Sequence, residues 1–243
     1  MKQRSFYLLL MIVLTFGLVC TASAQETYTF ELSEAFSFKE ENEHWSIDIS
    51  LPKVSGMADE DEQARLNDYI LSKKDIMLED YNQNVVFGEK GIEEGYDPHF
   101  MYQYYWNTVT DSDDYFVFRI SWFFAAGSST TLNEYFNLDK KTGRLLVFSE
   151  DAVTTPEQMA AVRAQILEQM EAANAESIKE YGAGLFWTED DSLDISLGQV
   201  SYLNHWYYNA DGDLVITFDK YEIAPGAAGS PEFVVHPEQV PAE

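Results

Sequence analysis

Three stretches decide the fold class: HFMYQYYWNTVT at residues 99–110, YFVFRISWFF at 115–124 and TTLNEYFNL at 130–138. Each is rich in aromatic and β-branched residues, which suit a pleated, half-buried surface. Short polar breaks separate them, so successive runs are expected to pair antiparallel. Asp139-Lys140-Lys141-Thr142-Gly143 has the composition of a hairpin turn, with Gly143 suited to a left-handed position. Arg144 to Phe148 then returns as the next strand, and the product is an antiparallel meander.

Upstream, Trp45 to Leu51 alternates apolar and polar residues like a half-buried strand, and Pro52 is expected to end it. Asp59 to Tyr81 predicts a helix, with Leu66, Ile70, Met77 and Tyr81 at helical intervals and acids in the first turn. Glycines 88, 91 and 95 and Pro98 mark Val85 to Pro98 as a loop. Residues 25–43 form an acidic lead-in, in which Thr27 to Leu32 alternates enough for an edge strand. Downstream, Thr155, Pro156 and Gln158 supply a cap, a first helical position and a capping box. This second helix should run to Tyr181, bury Met159, Val162, Ile166 and Met170, and stop at Gly182. Strands are then expected at Tyr202 to Tyr208, Leu214 to Phe218 and Phe233 to Val235, with a turn at Asn209-Ala210-Asp211-Gly212. The expected class is α+β, an antiparallel sheet meander with two main helices packed on it. Residues 44–150 and 151–243 would be two halves of one globular unit.

Residues 1–24 carry the marks of a signal peptide. Lys2 and Arg4 precede an apolar run from Phe6 to Cys20 broken only by Thr15, and Ala22-Ser23-Ala24 offers the small residues of a cleavage site. As a helix the run would reach about 22 Å, short of the ~30 Å hydrocarbon core, so cleavage is expected over anchoring. An exported, bacterial envelope location follows, without membrane attachment after cleavage. The only cysteine, Cys20, would leave with the signal peptide. The formal net charge is −27, and losing two basic residues makes the mature chain more acidic still. Such a field repels nucleic acid and anionic lipid but attracts cationic proteins. Plain solubility accounts for the same acids.

No motif announces catalysis, and no cofactor is implied. His44, His99, His205 and His236 lack the paired helical spacing of a zinc site, although distant histidines could still assemble one. Gly127-Ser128-Ser129 lacks the second glycine of a nucleophile elbow. Asp111 to Asp114, Glu189 to Asp191 and Asn209 to Asp213 gather carboxylates without completing a helix-loop-helix calcium loop, and turn chemistry accounts for the last. Tyr102, Tyr104 and Trp106 alternate onto one strand face, and Trp206 sits in a second aromatic cluster. They are either core or a platform for sugar rings or a protein partner.

Phe218-Asp219-Lys220-Tyr221-Glu222-Ile223-Ala224-Pro225-Gly226-Ala227-Ala228-Gly229 resembles the C-terminal signature of a bacterial extracytoplasmic family of unknown general function. That domain occurs in the outer part of the RsiV anti-sigma factor and beside the catalytic domain of the PdaC peptidoglycan deacetylase. Ile47 to Gly56, Leu66-Asn67, Tyr135 to Asp139 and Thr142 to Leu146 resemble further family segments in order. Ala125-Ala126-Gly127 departs from the family's Ala-His-Gly, and Gly226 stands where many members have a bulky aromatic. In the motif, Tyr221, Glu222, Ile223, Ala224, Pro225 and Gly229 suit a rigid, closely packed turn better than an active site. With few residues before the apolar run, sigma binding is not expected to carry over, and with no room for a deacetylase domain neither is deacetylation. The resemblance implies a non-enzymatic envelope binding module that recognises a lysozyme-like cationic protein or peptidoglycan. A cell-wall enzyme with a dispersed site and a structural envelope protein are the alternatives.

Overall fold

The computed structural model describes residues 27–188 and 191–239. The expected signal peptide, residues 1–24, lies outside them. Among the described residues no helix is long and apolar enough to cross a membrane. The class is α+β, built from two sheets, each with its own helix and apolar core.

The first sheet runs in the order β1 (Glu31–Glu41), β2 (Trp45–Ser55), β3 (Phe100–Asp111), β4 (Tyr115–Ala126), β5 (Ser128–Asp139) and β6 (Arg144–Leu145). The meander holds from β3 to β6, where every pairing is antiparallel. Its left-handed corner is Gly143, at φ 72°. β2 and β3, however, pair in parallel from Trp45 opposite Phe100 to Ile49 opposite Tyr104. A helix, α1 (Glu60–Glu93), makes the crossover that parallel neighbours need. The acidic lead-in is itself largely the edge strand β1, further along than the alternation at Thr27 to Leu32 indicated. Its partly buried Leu32, Phe36 and Phe38 touch the core, while its charged residues face water and blunt the edge.

Two boundaries differ from expectation for identifiable reasons. Pro52 does not end β2. It pairs with Glu34 beside the register shift between Glu34 and Phe36, and beyond the last β2–β3 pair, so its missing N–H interrupts no central ladder. Nor does α1 stop near Tyr81. It continues through Gly88, where an added Cβ would lie 2.8 Å from the Trp45 ring. Glycine here permits a helix to approach a tryptophan closely, and does not mark a loop. At the other end Asp59 accepts the backbone N–H groups of Asp61 and Glu62, at 2.8 and 3.0 Å, ahead of three acids.

The second sheet, β7 (Trp206–Tyr208), β8 (Leu214–Thr217) and β9 (Glu232–Val235), carries α2 (Pro156–Tyr181). The second helix therefore packs on this separate sheet and not on the meander. Its Thr155–Gln158 capping box forms, and it stops at Gly182. Val162, Ile166 and Met170 are fully buried, each contributing about 1.5–3 kcal/mol of burial. Met159 is half-buried at the margin. The strand expected at Tyr202 to Tyr208 is shorter. Val200–Leu203 forms α4, after the short α3 (Ser192–Leu197), and Asn204 then turns the chain in the left-handed region at φ 53°. Arg144 to Phe148 likewise pairs only at Arg144–Leu145 before a π-helical turn, Phe148–Ala152, closes against the Arg144–Asp151 ion pair.

One buried side chain joins the sheets. Asn137 of β5 donates its amide to the Trp206 carbonyl at 3.0 Å and accepts the Tyr208 N–H at 3.0 Å. Beside it Tyr115 stacks on Tyr208 and Tyr135 on Tyr207, with centroids 4.2 and 4.8 Å apart. Replacing Asn137 by Leu keeps the branched shape, with bulkier methyl ends, and orphans both backbone groups. We expect a loss of about 2–5 kcal/mol in urea unfolding monitored by circular dichroism. A loss below 0.5 kcal/mol would show that the join is held by its other contacts, among them the stacked tyrosines and the Tyr135 N–H to Asn204 carbonyl bond.

Candidate functional site

A cleft of about 420 Å³ opens where α1, β4, β5 and α4 meet. Half-buried Tyr104 and Trp122 contribute its aromatic lining, because β3 and β4 turn alternate residues toward α1. Exposed apolar side chains sit around them: Tyr202 at 85%, Ile76 at 64%, Tyr69 at 45% and Leu132 at 41% exposure. Tyr202 stands out because α4 is a single turn ended by the left-handed Asn204.

One side of the cleft is polar. Glu134 accepts from the Tyr69 hydroxyl at 2.5 Å, from Lys73 Nζ at 2.8 Å and from the Asn204 amide at 3.2 Å. Burial works against the Lys73 charge, yet Glu134 outweighs it and holds the ammonium above its ordinary pKa. Burial, reinforced by Glu134, also raises the Tyr69 phenol. These groups tie α1 to β5 and the β5 edge to α4.

His205, which also lines the cleft, is almost fully buried between two carboxylates. Its Nε2 is 3.3 Å from Asp219 Oδ2 and its Nδ1 is 3.8 Å from Glu222 Oε2. Both ring nitrogens face acids of the Phe218–Gly229 segment. Asp219 Oδ1 also receives the Asn133 N–H at 3.4 Å, and Glu222 Oε2 receives the Asp219 N–H at 2.6 Å. Ile223 and Ala224 are buried in or against the second core, and the Ile223 carbonyl accepts from Trp187 N–H at 2.9 Å. Pro225 opens a 3₁₀ turn at Gly226–Ala228, closed by Gly229. A Cβ on Gly226 would lie 2.3 Å from the Tyr221 ring, so here Tyr221 covers the space that a bulky residue at 226 would need.

The aromatics singled out by alternation divide. Tyr102 and Trp206 are each 1% exposed and belong to the two cores, which removes them from any surface platform. Burial raises the Tyr102 phenol to about 12. Tyr104 lines the cleft, whereas Trp106 is half-buried and donates to Ser50 Oγ at 2.9 Å. Sequence reading missed Tyr69, Lys73, Glu134 and Tyr202, whose convergence depends on tertiary contacts between distant segments. Of the carboxylate runs, Asp111 and Asp114 pair with Lys140 and Lys141. Asn209 Oδ1 accepts from the Asp211 and Asp213 N–H groups, as turn chemistry requires. Part of Glu189 to Asp191 lies outside the described residues. Spacing suited to a metal occurs away from this cleft, at His44, Asp97 and His99.

Comparison with known proteins agrees with the resemblance in the sequence. Residues 147–238, which hold α2, the second sheet and the 218–229 segment, match the family described as "Protein of unknown function (DUF3298)". The curated "Anti-sigma-V factor RsiV" of Bacillus subtilis (strain 168) is 27% identical over 197 residues, covering 81% of this chain and 65% of that protein. The chain thus spans less than two thirds of that relative's length. A solved DUF3298 family member from Bacteroides fragilis NCTC 9343 shares the fold at TM-score 0.57 and 12% identity, covering 88% of this chain and 92% of its own. A Pseudomonas aeruginosa PAO1 family protein aligns at TM-score 0.47 and 14% identity over 90% of this chain and 99% of its own.

Burial pushes the Glu222 carboxyl above the ordinary glutamate range of about 4.5, and His205 and Asp219 are the titratable groups facing it. Its stabilising contribution is complete below the unfolded-state pKa and is lost as pH rises through the folded value. Glu222→Gln keeps the acceptor for the Asp219 N–H and has no such titration. The variant should gain stability relative to wild type as pH rises from 4 to 7. Melting temperatures at the two pH values test this, and a difference that fails to widen refutes it.

Proposed function

We propose that the chain is an exported, non-enzymatic binding module of the bacterial cell envelope. Its cleft between α1, β4–β5 and α4 docks a cationic protein of the lysozyme kind. The observation that carries this is the ring of exposed Tyr202, Ile76, Tyr69 and Leu132 around one aromatic-lined cleft. Clustered exposed apolar side chains mark partner surfaces, and aromatic anchors dominate the binding energy of such contacts. The net charge of −27 supports a cationic partner, because it speeds encounter with a basic protein. Similarity to an anti-sigma factor supports an extracytoplasmic domain that receives a ligand.

The test is biosensor binding of the purified protein to immobilised lysozyme at low and moderate salt. Binding should weaken as salt rises, because screening slows association. Tyr202→Ala should weaken it at least about tenfold while leaving the melting temperature unchanged. Absence of binding at low salt would overturn the proposal, as would equal binding by the variant. Tryptophan fluorescence that answers peptidoglycan fragments, in a protein that ignores lysozyme, would assign the cleft to glycan instead.

A further inference from the structure

We propose that His44, Asp97 and His99 form a binding site for a zinc-class divalent cation, separate from the aromatic cleft. The site follows from strand register. β2 and β3 pair in parallel from Trp45 opposite Phe100, so the preceding residues, His44 and His99, also stand side by side. Phe100 N–H donates to the His44 carbonyl at 3.1 Å and fixes that alignment. Trp45 and Phe100 turn inward and stack 5.4 Å apart in the core, and strand alternation sends the two imidazoles the other way. Their centroids are 5.7 Å apart. Asn42 Oδ1 accepts the N–H groups of His44 and Trp45 at 2.8 and 2.9 Å, which holds the His44 backbone rigid.

Asp97 completes the cluster. His44 Nδ1 lies 3.3 Å and His99 Nε2 3.2 Å from the same carboxylate oxygen, and the three ligand atoms fall within 4.8 Å of one another. The other nitrogen of His44 is 3.2 Å from Glu43 Oε1. A neutral imidazole that gives its Nε2 proton to Glu43 presents a lone pair at Nδ1. That atom is buried from solvent and makes no hydrogen bond, yet it faces an oxygen of Asp97. Two electron-pair donors turned toward each other need a proton or a metal ion between them, and the second imidazole, His99, at the same carboxylate oxygen makes a metal ion the occupant that all three groups fit.

Donor chemistry selects the cation. Two imidazole nitrogens with one carboxylate suit zinc and its neighbours, whereas calcium and magnesium take all-oxygen shells. A ligating histidine whose second N–H is held by a carboxylate, as Glu43 holds His44, is the usual supporting arrangement around zinc. Three protein ligands leave a coordination position open. His44 and His99 line a cleft of about 600 Å³ that Ala125 and Gly127 also line, and Asp97 is exposed, so water or an exogenous donor can fill it.

The test is calorimetric titration of chelator-stripped purified protein with zinc sulfate, with calcium chloride in parallel. One equivalent of zinc should bind, and calcium should not compete. His99→Ala and Asp97→Asn alter exposed side chains and should each weaken zinc at least about tenfold with an unchanged melting temperature in chelator. His236→Asn, at a histidine beside Asp213, should bind zinc like wild type. Zinc should raise the melting temperature of wild type and of His236→Asn, but not of the two site variants. Failure of wild type to bind zinc would overturn the site. Wild-type affinity in both His99→Ala and Asp97→Asn would do the same, by placing the metal elsewhere on the acidic surface.

Discussion

The fold depends on a carboxamide. Asn137 presents one donor and one acceptor to β7, as a neighbouring peptide unit would, and so continues the hydrogen bonding of β5 into the second sheet without a paired strand. Backbone groups buried at such a join must be paired, because an orphan costs about 1–3 kcal/mol. The same device recurs wherever an element ends against another. Asn67 of α1 takes both backbone groups of Val54, at 2.8 and 2.9 Å. Gln165 of α2 takes those of His236, both at 2.9 Å. Asn174 gathers the N–H groups of Leu185 and Phe186 and donates to the Phe186 carbonyl. With its single cysteine at position 20, the rest of the chain has no disulfide for this purpose. Amides serve instead, and they fix register because one residue of slip would break two bonds at once.

His205 makes the corresponding link with charge. It sits at the start of β7, and its ring reaches the 218–229 segment through Asp219 and Glu222. Its backbone is held on both sides, by Thr217 N–H and by the Val200 carbonyl. The segment thereby closes over the second core with Ile223 and Ala224 inward, and its described contacts are intramolecular. It also places Asp219 and His205 together in the lining of the cleft.

What the sequence made legible was local. The alternation of β3 to β5, the capping box at Thr155 and the left-handed Gly143 depend on neighbours a few residues away. The misread parts depend on distant partners. Gly88 continues a helix because Trp45, far back in the chain, needs its missing side chain. Pro52 is tolerated because β3 has already left its flank. Tyr102 and Tyr104 share a strand face, yet one is core and the other lines a cleft, since α1 covers that face unevenly. Lys73 and Glu134 meet only after β5 reaches α1. Asn67 and Asn137 fall within segments of the family resemblance, yet nothing local marked their bonds, because an amide in a helix or strand looks the same whether it faces water or a buried carbonyl.

Charge links the two candidate sites but specifies neither. Lys39, Lys73, Lys140, Lys141, Arg144 and Arg163 are each engaged in an internal ion pair, so much of the scarce positive charge neutralises local acids. The remaining carboxylates set a negative field whose reach is about 8 Å at physiological salt. Such a field fixes the sign of what approaches and raises its encounter rate, and it treats a calcium ion, a zinc ion and a basic protein alike. Discrimination must therefore reside in groups that carry no net charge. At the cleft these are the rings of Tyr104, Trp122 and Tyr202, which reward a shaped, partly apolar surface. At the start of β2 and β3 they are two imidazoles, whose nitrogens distinguish zinc from calcium where carboxylates alone would not. An acidic surface with a few well-held neutral donors is thus selective for different cationic species at different places, and the strand register that places His44 beside His99 contributes as much to that selectivity as the charge itself.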